Sequence, residues 1–180
     1  NLNNLLQSTL NPLKKHEPQL SYKGVYYRTG DKVMQIKNNY DIEWIKDDGE
    51  SGIGVFNGDI GTILSIEAIN REMIVEFDDK RRVRYTYENL EELELAYAIT
   101  IHKSQGSEYP AVVLPILTGP KLLFNRNLLY TAITRAKDCV TIVGDREKVA
   151  QMVKNVSEYQ RYTSLEIAIR QVGGIYESTH

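Results

Sequence analysis

The sequence has 180 residues, which suits one domain or two small ones, and its 42% hydrophobic and 26% charged content is that of an ordinary folded protein able to bury a core. A net charge of −2 excludes the strongly basic footprint of an autonomous DNA-binding domain, so any nucleic-acid contact must be local. One cysteine builds neither a disulfide framework nor a zinc site, and no apolar stretch approaches the roughly 20 residues of a membrane-spanning helix, so a cytoplasmic protein with no membrane partner is expected.

Leu2, Leu5, Leu6 and Leu10 recur at helical spacing before Pro12 and Pro18, so residues 1–21 read as a short amphipathic helix running into an extended connector. Next comes a turn at Thr29-Gly30-Asp31 and an alternating strand over residues 32–37, closed by Asn38-Asn39. The polar run at residues 47–52 reads as a mobile surface loop and a domain seam. Beyond it, residues 55–56, 61–66, 72–77 and 82–87 are four short strands between turns, the pattern of a small barrel. Asn57-Gly58 predicts a type I′ turn, whose two central residues need positive φ, and Asp78-Asp79 with Lys80 predicts a hairpin tip.

From Leu95 the pattern alternates strand and helix, the signature of parallel α/β architecture. Residues 97–101 read as one strand, and the apolar run 111–116 as a central parallel strand covered on both faces. Residues 125–137 predict a helix with Leu129 and Ile133 on one face. Residues 139–143 predict a further buried strand, with Cys139 as a buried structural thiol, ended by Gly144. Asp145 can cap a helix carrying Val149, Met152, Val153 and Val156, and Thr163 with Glu166 has capping-box spacing for a last helix to Val172, stopped by Gly173-Gly174.

Two segments carry chemistry. Thr100-Ile101-His102-Lys103-Ser104-Gln105-Gly106-Ser107-Glu108 is a polar turn after a predicted strand, which places it at the carboxyl edge of a parallel sheet, where ligands bind in α/β folds. A hydroxyl and an imidazole donate to phosphate, a glycine admits close backbone approach to an anion, and a carboxylate accepts from vicinal hydroxyls. His102 alone reads first as a satisfied histidine beside a turn, whereas nine residues in this order argue for a site. Tyr130-Thr131-Ala132-Ile133-Thr134-Arg135-Ala136-Lys137 puts a guanidinium in the last part of its predicted helix, where the plain reading is a solvated charge favourable to the helix dipole. Nothing matches Gly-x-x-x-x-Gly-Lys-Ser/Thr, the loop that cradles nucleotide phosphates.

These two segments resemble the last two signature motifs of superfamily 1 helicases of the RecD-like type. Gly30-Asp31-Lys32-Val33-Met34-Gln35 with Asn38-Asn39-Tyr40, and Val55-Phe56-Asn57-Gly58-Asp59-Ile60-Gly61, resemble the same family at the approach to its SH3-like barrel. The resemblance implies an α/β fold: a RecA-like parallel-sheet domain of the P-loop NTPase type, without the P-loop itself, over residues 22–45 and 93–180, with an SH3-like barrel inserted at residues 46–92. It implies a C-terminal motor fragment of an ATP-dependent 5′–3′ DNA helicase, in which the full-length parent uses ATP and Mg²⁺ and the fragment alone binds neither and is silent.

By matching positions, the resemblance implies that Thr100 and His102 contact single-stranded DNA, Gly106 the terminal phosphates and Glu108 the ribose hydroxyls. Arg135 would be the arginine finger that stabilises charge on the departing γ-phosphate. Arg126 falls at a second position where relatives carry arginine. Asn38, Asn39 and the basic run Lys80, Arg81, Arg82 and Arg84 would contact phosphates, although that run, beside Asp78 and Asp79, reads first as a solvated hairpin tip. No metal site is expected. The partners implied are single-stranded DNA and an N-terminal RecA-like domain of the same chain, with a monomer expected. Two rival readings are a non-enzymatic nucleic-acid-binding module and a subunit of an exodeoxyribonuclease V-type complex, whose nuclease would lie elsewhere because no Asp-Glu-Lys cluster suited to catalytic Mg²⁺ occurs here.

Overall fold

The computed structural model describes residues 2–117 and 124–155, in two compact units divided at Tyr109/Pro110. The first unit opens with α1 (Leu2–Leu10), whose polar side is the one that packs: Gln7 is 5% exposed, while Leu2, Leu5 and Leu10 lie at the surface. Strand β1 (Gln19–Tyr22) begins at the end of the connector expected over residues 1–21, and β2 (Val25–Arg28) follows it. They form a hairpin with Tyr22 opposite Val25, and the two loop residues, Lys23 and Gly24, both have positive φ (45° and 82°). Those are the requirements of a type I′ turn, whose twist matches that of the paired strands.

The type I′ turn expected at Asn57-Gly58 is not formed. Asp59 N–H donates to Phe56 O at 3.0 Å, and of the two central residues only Gly58 has positive φ. The flanking strands, β5 (Ser51–Val55) and β6 (Ile60–Glu67), are not neighbours in the sheet, so the hairpin twist that selects type I′ does not act there.

With β3 (Lys32–Gln35), β4 (Asn39–Ile45), β7 (Glu72–Phe77), β8 (Arg82–Tyr85) and β9 (Leu93–Leu95), these strands form a seven-stranded sheet in the order β5-β4-β8-β7-β6-β3-β9, with antiparallel pairing throughout. Strand β7 alternates as a one-face strand must: Met73, Val75 and Phe77 are buried. They pack with Val33, Val55, Ile63, Val83, Tyr85 and Leu90 into one core, each such side chain contributing about 1.5–3 kcal/mol of hydrophobic stabilisation. Gly61 lies so close to β7 that a Cβ there would sit 2.7 Å from Glu76 O, which explains a glycine inside a strand.

Asn38-Asn39 opens β4 instead of closing the preceding strand, and the expected loop at 47–52 is a tight β4–β5 hairpin tip in which Lys46 N–H donates to Glu50 O at 2.8 Å. Asp78-Asp79-Lys80 is the β7–β8 hairpin tip the sequence suggested. The strand expected to reach Tyr87 stops at Tyr85, and a 3-10 helix, Tyr87–Glu92, buries Leu90. Across the anticipated seams at 45/46 and 92/93, β3 pairs with β6, β4 pairs with β5 and β8, and β9 pairs with β3.

The second unit carries most of β10 (Tyr109–Ile116), then α2 (Arg126–Ile133), β11 (Ala136–Gly144) and α3 (Arg146–Lys154). Strands β10 and β11 are neighbours, and Asp145 N–H donates to Ile116 O at 3.1 Å, so their carboxyl ends lie side by side. Asn125 caps α2 by accepting from Leu128 N–H, and Asp145 caps α3 by accepting from Glu147 N–H. Strand β10 buries Leu114 and Ile116 but exposes Val113, and Cys139 in β11 is exposed. Cover on both faces of β10 and a buried thiol were expected; among the described residues one face is covered, with Leu129, Ala132 and Met152 of the two helices buried. Helix α2 ends at Ile133, four residues earlier than predicted. Val156 and the helix expected over 163–172 lie outside the described residues, among which no helix is long and apolar enough to cross a membrane.

Candidate functional site

Residues 97–101, expected as a strand, instead form bends that run into consecutive turns over 101–106. Ser104 N–H donates to Thr100 O and Ile101 O, Gln105 N–H to His102 O, and Ser107 N–H to Ser104 O. The Ser104 hydroxyl donates to Ile101 O at 2.7 Å and is buried, which pins the inner side of the segment. Thr100 Oγ1 accepts from Lys103 N–H at 3.3 Å, and Lys103 Nζ reaches Glu94 Oε2 at 2.5 Å. Thr100, His102, Gly106 and Glu108 are all exposed. Gly106 has φ of 87° and open space where a Cβ would stand, so its backbone is accessible to an incoming anion.

The approach to this segment rests on Asp31, which is fully buried. Its Oδ1 accepts from Asn11 Nδ2 and the Tyr97 hydroxyl, both at 2.8 Å. Its Oδ2 accepts from Gln7 Nε2 at 2.6 Å and Arg28 N–H at 2.8 Å. Four donors on two oxygens offset the desolvation of a buried carboxylate. Burial, and next the hydrogen bond to Asp31, push the Tyr97 phenol up to about 12. Sequence reasoning placed Asp31 in a turn and missed this role; the available signal was an acidic residue directly before an alternating strand.

Asn38 and Asn39 stand at the start of β4. Asn39 Oδ1 accepts from the N–H groups of Asp41 and Ile42, and its Nδ2 donates to Glu92 at 3.0 Å. Glu92 also accepts from Gln35 Nε2 at 2.8 Å, which ties β3, β4 and the 3-10 helix together. Asn38 Oδ1 accepts from Asn57 N–H, and Nδ2 donates to the Tyr40 hydroxyl. Each basic residue of the hairpin region has an acidic neighbour: Lys80 pairs with Glu76, Arg81 with Asp59 and Asp79, Arg82 with Glu76 and Asp47, and Arg84 with Glu72. Hydrogen bonds from Arg82 and then Lys80 hold the Glu76 carboxyl below its usual range. An open groove of about 750 Å³ crosses β4, β5 and β8, with Trp44, Ile45 and Ile53 beside Arg82 and Arg84.

In the second unit Arg135 lies in the turn between α2 and β11, not within the helix. Its Nε donates to Thr131 O at 3.3 Å. Arg126 is the first residue of α2, and its N–H donates to Asn155 O. Among the described residues no group of three or more His, Cys, Asp or Glu side chains is placed to hold a metal ion.

Residues 2–77 match the family of the ATP-dependent RecD-like DNA helicase SH3 domain, and residues 95–143 the family of the UvrD-like helicase C-terminal domain. The chain is 38% identical over 111 residues to the ATP-dependent RecD2 DNA helicase of Deinococcus radiodurans, covering 62% of this chain and 14% of that protein. It is 32% identical over 122 residues to the RecBCD enzyme subunit RecD of Mycolicibacterium smegmatis, covering 68% and 21%. An uncharacterised protein of Methanocaldococcus jannaschii is 36% identical over 148 residues, covering 74% and 12%. The two matched families follow one another along the chain, the helicase SH3 domain first and the helicase C-terminal domain second. The chain belongs to the RecD-like superfamily 1 DNA helicases and corresponds to their C-terminal portion.

Proposed function

We propose that this chain is the second motor portion of a helicase that unwinds DNA in the 5′ to 3′ direction, acting with an N-terminal RecA-like domain of the same protein and working as a monomer. The observation that carries the reading is the exposed turn at residues 100–108, which presents Thr100 and His102 at one end and Gly106 and Glu108 at the other. The first pair suits a DNA phosphate and the second a nucleotide, Gly106 offering backbone and Glu108 accepting from ribose hydroxyls. Asn38 and Asn39 are proposed to line the strand path. In this reading the barrel takes residues 22–95 and the RecA-like sheet follows, a division supported by the pairing of β3 with β6 on one side and β9 on the other.

ATP with Mg²⁺ supplies the driving hydrolysis in the whole protein, and most contacts to it lie outside this chain, which by itself is proposed to be silent. Arg135 is the proposed arginine finger: a guanidinium offers a permanent charge and a fork of donors to a transferring phosphoryl group. Its place in the turn that follows α2, beyond the last helical residue, supports such reach. The relative named as a RecBCD subunit favours a second reading, in which the parent works inside a nuclease complex and the monomer gives way to an assembly.

The experiment is ATP turnover by the full-length parent with single-stranded DNA. Arg135→Ala should lower the rate by about 10³-fold with oligonucleotide affinity little changed, and Arg135→Lys should rescue poorly. Near-normal turnover in the alanine variant overturns the assignment.

A further inference from the structure

Residues 96–99 carry the chain into the Thr100 turn with one strand-like backbone bond, Ala96 N–H to Lys32 O at 2.8 Å. Two residues on, the neighbouring strand is replaced by a side chain. Ala98 N–H donates to Asn3 Oδ1 at 2.8 Å, and Asn3 Nδ2 donates to Ala98 O at 3.0 Å. A carboxamide that offers one acceptor and one donor to a single residue does what the adjoining strand of a ladder would do. Between these, the Tyr97 hydroxyl donates to Asp31, which Gln7 and Asn11 hold from the other side.

Asn3, Gln7 and Asn11 are spaced four apart, so Asn3 and Gln7 share one face of α1 and Asn11 continues that line just beyond its end. The polar stripe of this helix is therefore a docking face, while Leu2, Leu5 and Leu10 stay at the surface, and it grips the approach to residues 100–108 at Ala98 directly and at Tyr97 through Asp31. The segment it leads into is a series of exposed turns, the kind of structure with low local stability. Its third anchor, Lys103 to Glu94, is a half-exposed ion pair worth little.

We propose that Asn3 and Tyr97 are positioning residues for residues 100–108: they set where Thr100 and His102 stand and so how tightly the segment grips single-stranded DNA. The DNA part of this inference rests on the function proposed above; the positioning part does not. Asn3 acts two residues before Thr100 and ten before Glu108, so its loss should fall on the strand-binding end.

Hydrogen exchange on this chain tests the positioning. In Asn3→Ala and Tyr97→Phe, the amides of Ser104, Gln105 and Ser107 should exchange about tenfold faster, while those of Val75 and Tyr85 keep their rates. Asn3→Asp, which keeps the acceptor for Ala98 N–H and loses the donor to Ala98 O, should fall between wild type and Asn3→Ala. Unchanged exchange at residues 104–107, or faster exchange throughout the barrel, overturns the proposal. In the full-length parent, Asn3→Ala should raise the Kd for an oligo-dT strand about fivefold and leave nucleotide affinity within about twofold; equal loss of both ligands reduces Asn3 to a structural residue. A wild-type parent that does not bind the strand overturns the proposed function instead, and the exchange rates still decide the positioning.

Discussion

Gln35 Oε1 accepts the hydroxyl proton of Tyr85 at 2.7 Å, with both side chains wholly buried in the barrel. The amide nitrogen of Gln35 donates in turn to Glu92. Burial pushes the Tyr85 phenol well above its ordinary value, so it remains a donor at any physiological pH. Tyr85→Phe leaves the Gln35 oxygen buried without that donor and should cost about 1–2 kcal/mol. Urea unfolding of this chain should show a lower midpoint with an unchanged slope. An unchanged midpoint would mean that water already serves the Gln35 oxygen.

A pH dependence follows from Tyr97. Its phenol titrates near 10 in an unfolded chain and at about 12 in the fold, where burial and then Asp31 favour the neutral form. The folded value is the higher one. The contribution is therefore complete below about pH 10 and lost as the pH rises through about 12. Tyr27 and Tyr85 are shifted in the same direction, mainly by burial. Stability measured at fixed urea should fall across this window together with the phenolate absorbance. Tyr97→Phe should make the fall shallower; an equal or steeper fall would contradict the placement of this phenol.

His102 and Glu108 should separate the two ligands of the parent. His102→Ala should weaken single-strand binding by about 1 kcal/mol, the order of one lost hydrogen bond, with nucleotide affinity nearly unchanged. Glu108→Ala should do the reverse. Paired titrations with a fluorescent oligonucleotide and a fluorescent nucleotide analogue, at one salt concentration, check this, because phosphate contacts weaken with salt. Equal loss of both ligands in both variants would make residues 100–108 a structural turn.

The strands at 61–66 and 72–77 and the tip at 78–80 were legible because alternation and turn residues act locally. The helix cap at Asp145 was legible for the same reason, whereas Asn125, read as the first helical residue, is the cap of α2. Strand β4 was not: Asn39 reads as a terminator, yet its side chain satisfies Asp41, Ile42 and Glu92, and the last of these lies 53 residues away. Helix α1 was legible as an amphipathic helix, but the spacing that reveals it marks leucines, three of which lie at the surface. The surface it meets is Asp31 and Ala98, and a polar stripe answers that. Tyr97 and its neighbours looked like a strand from their apolar content, but the partner that holds Ala98 is a side chain, which no periodicity reveals. The order of residue types alone singles out residues 100–108 as the proposed site, while the Asp31 support beneath them became visible only in three dimensions.

The bonds between Asn3 and Ala98 span 95 positions, and that separation orders the events of biosynthesis. At ribosomal rates of roughly 5–20 residues per second, α1 waits on the order of 5–20 s before its partner is made. Throughout that interval the stripe of Asn3, Gln7 and Asn11 can engage Asp31 but has nothing at Ala98 to close upon. Helix α1 is thus among the last elements of this unit to lock, and residues 100–108 acquire their footing only once the sheet that precedes them has left the exit tunnel. Truncation of α1 would spare the hydrophobic core of the sheet, which contains no α1 residue, and leave the approach to residues 100–108 without the Asn3 bonds at Ala98.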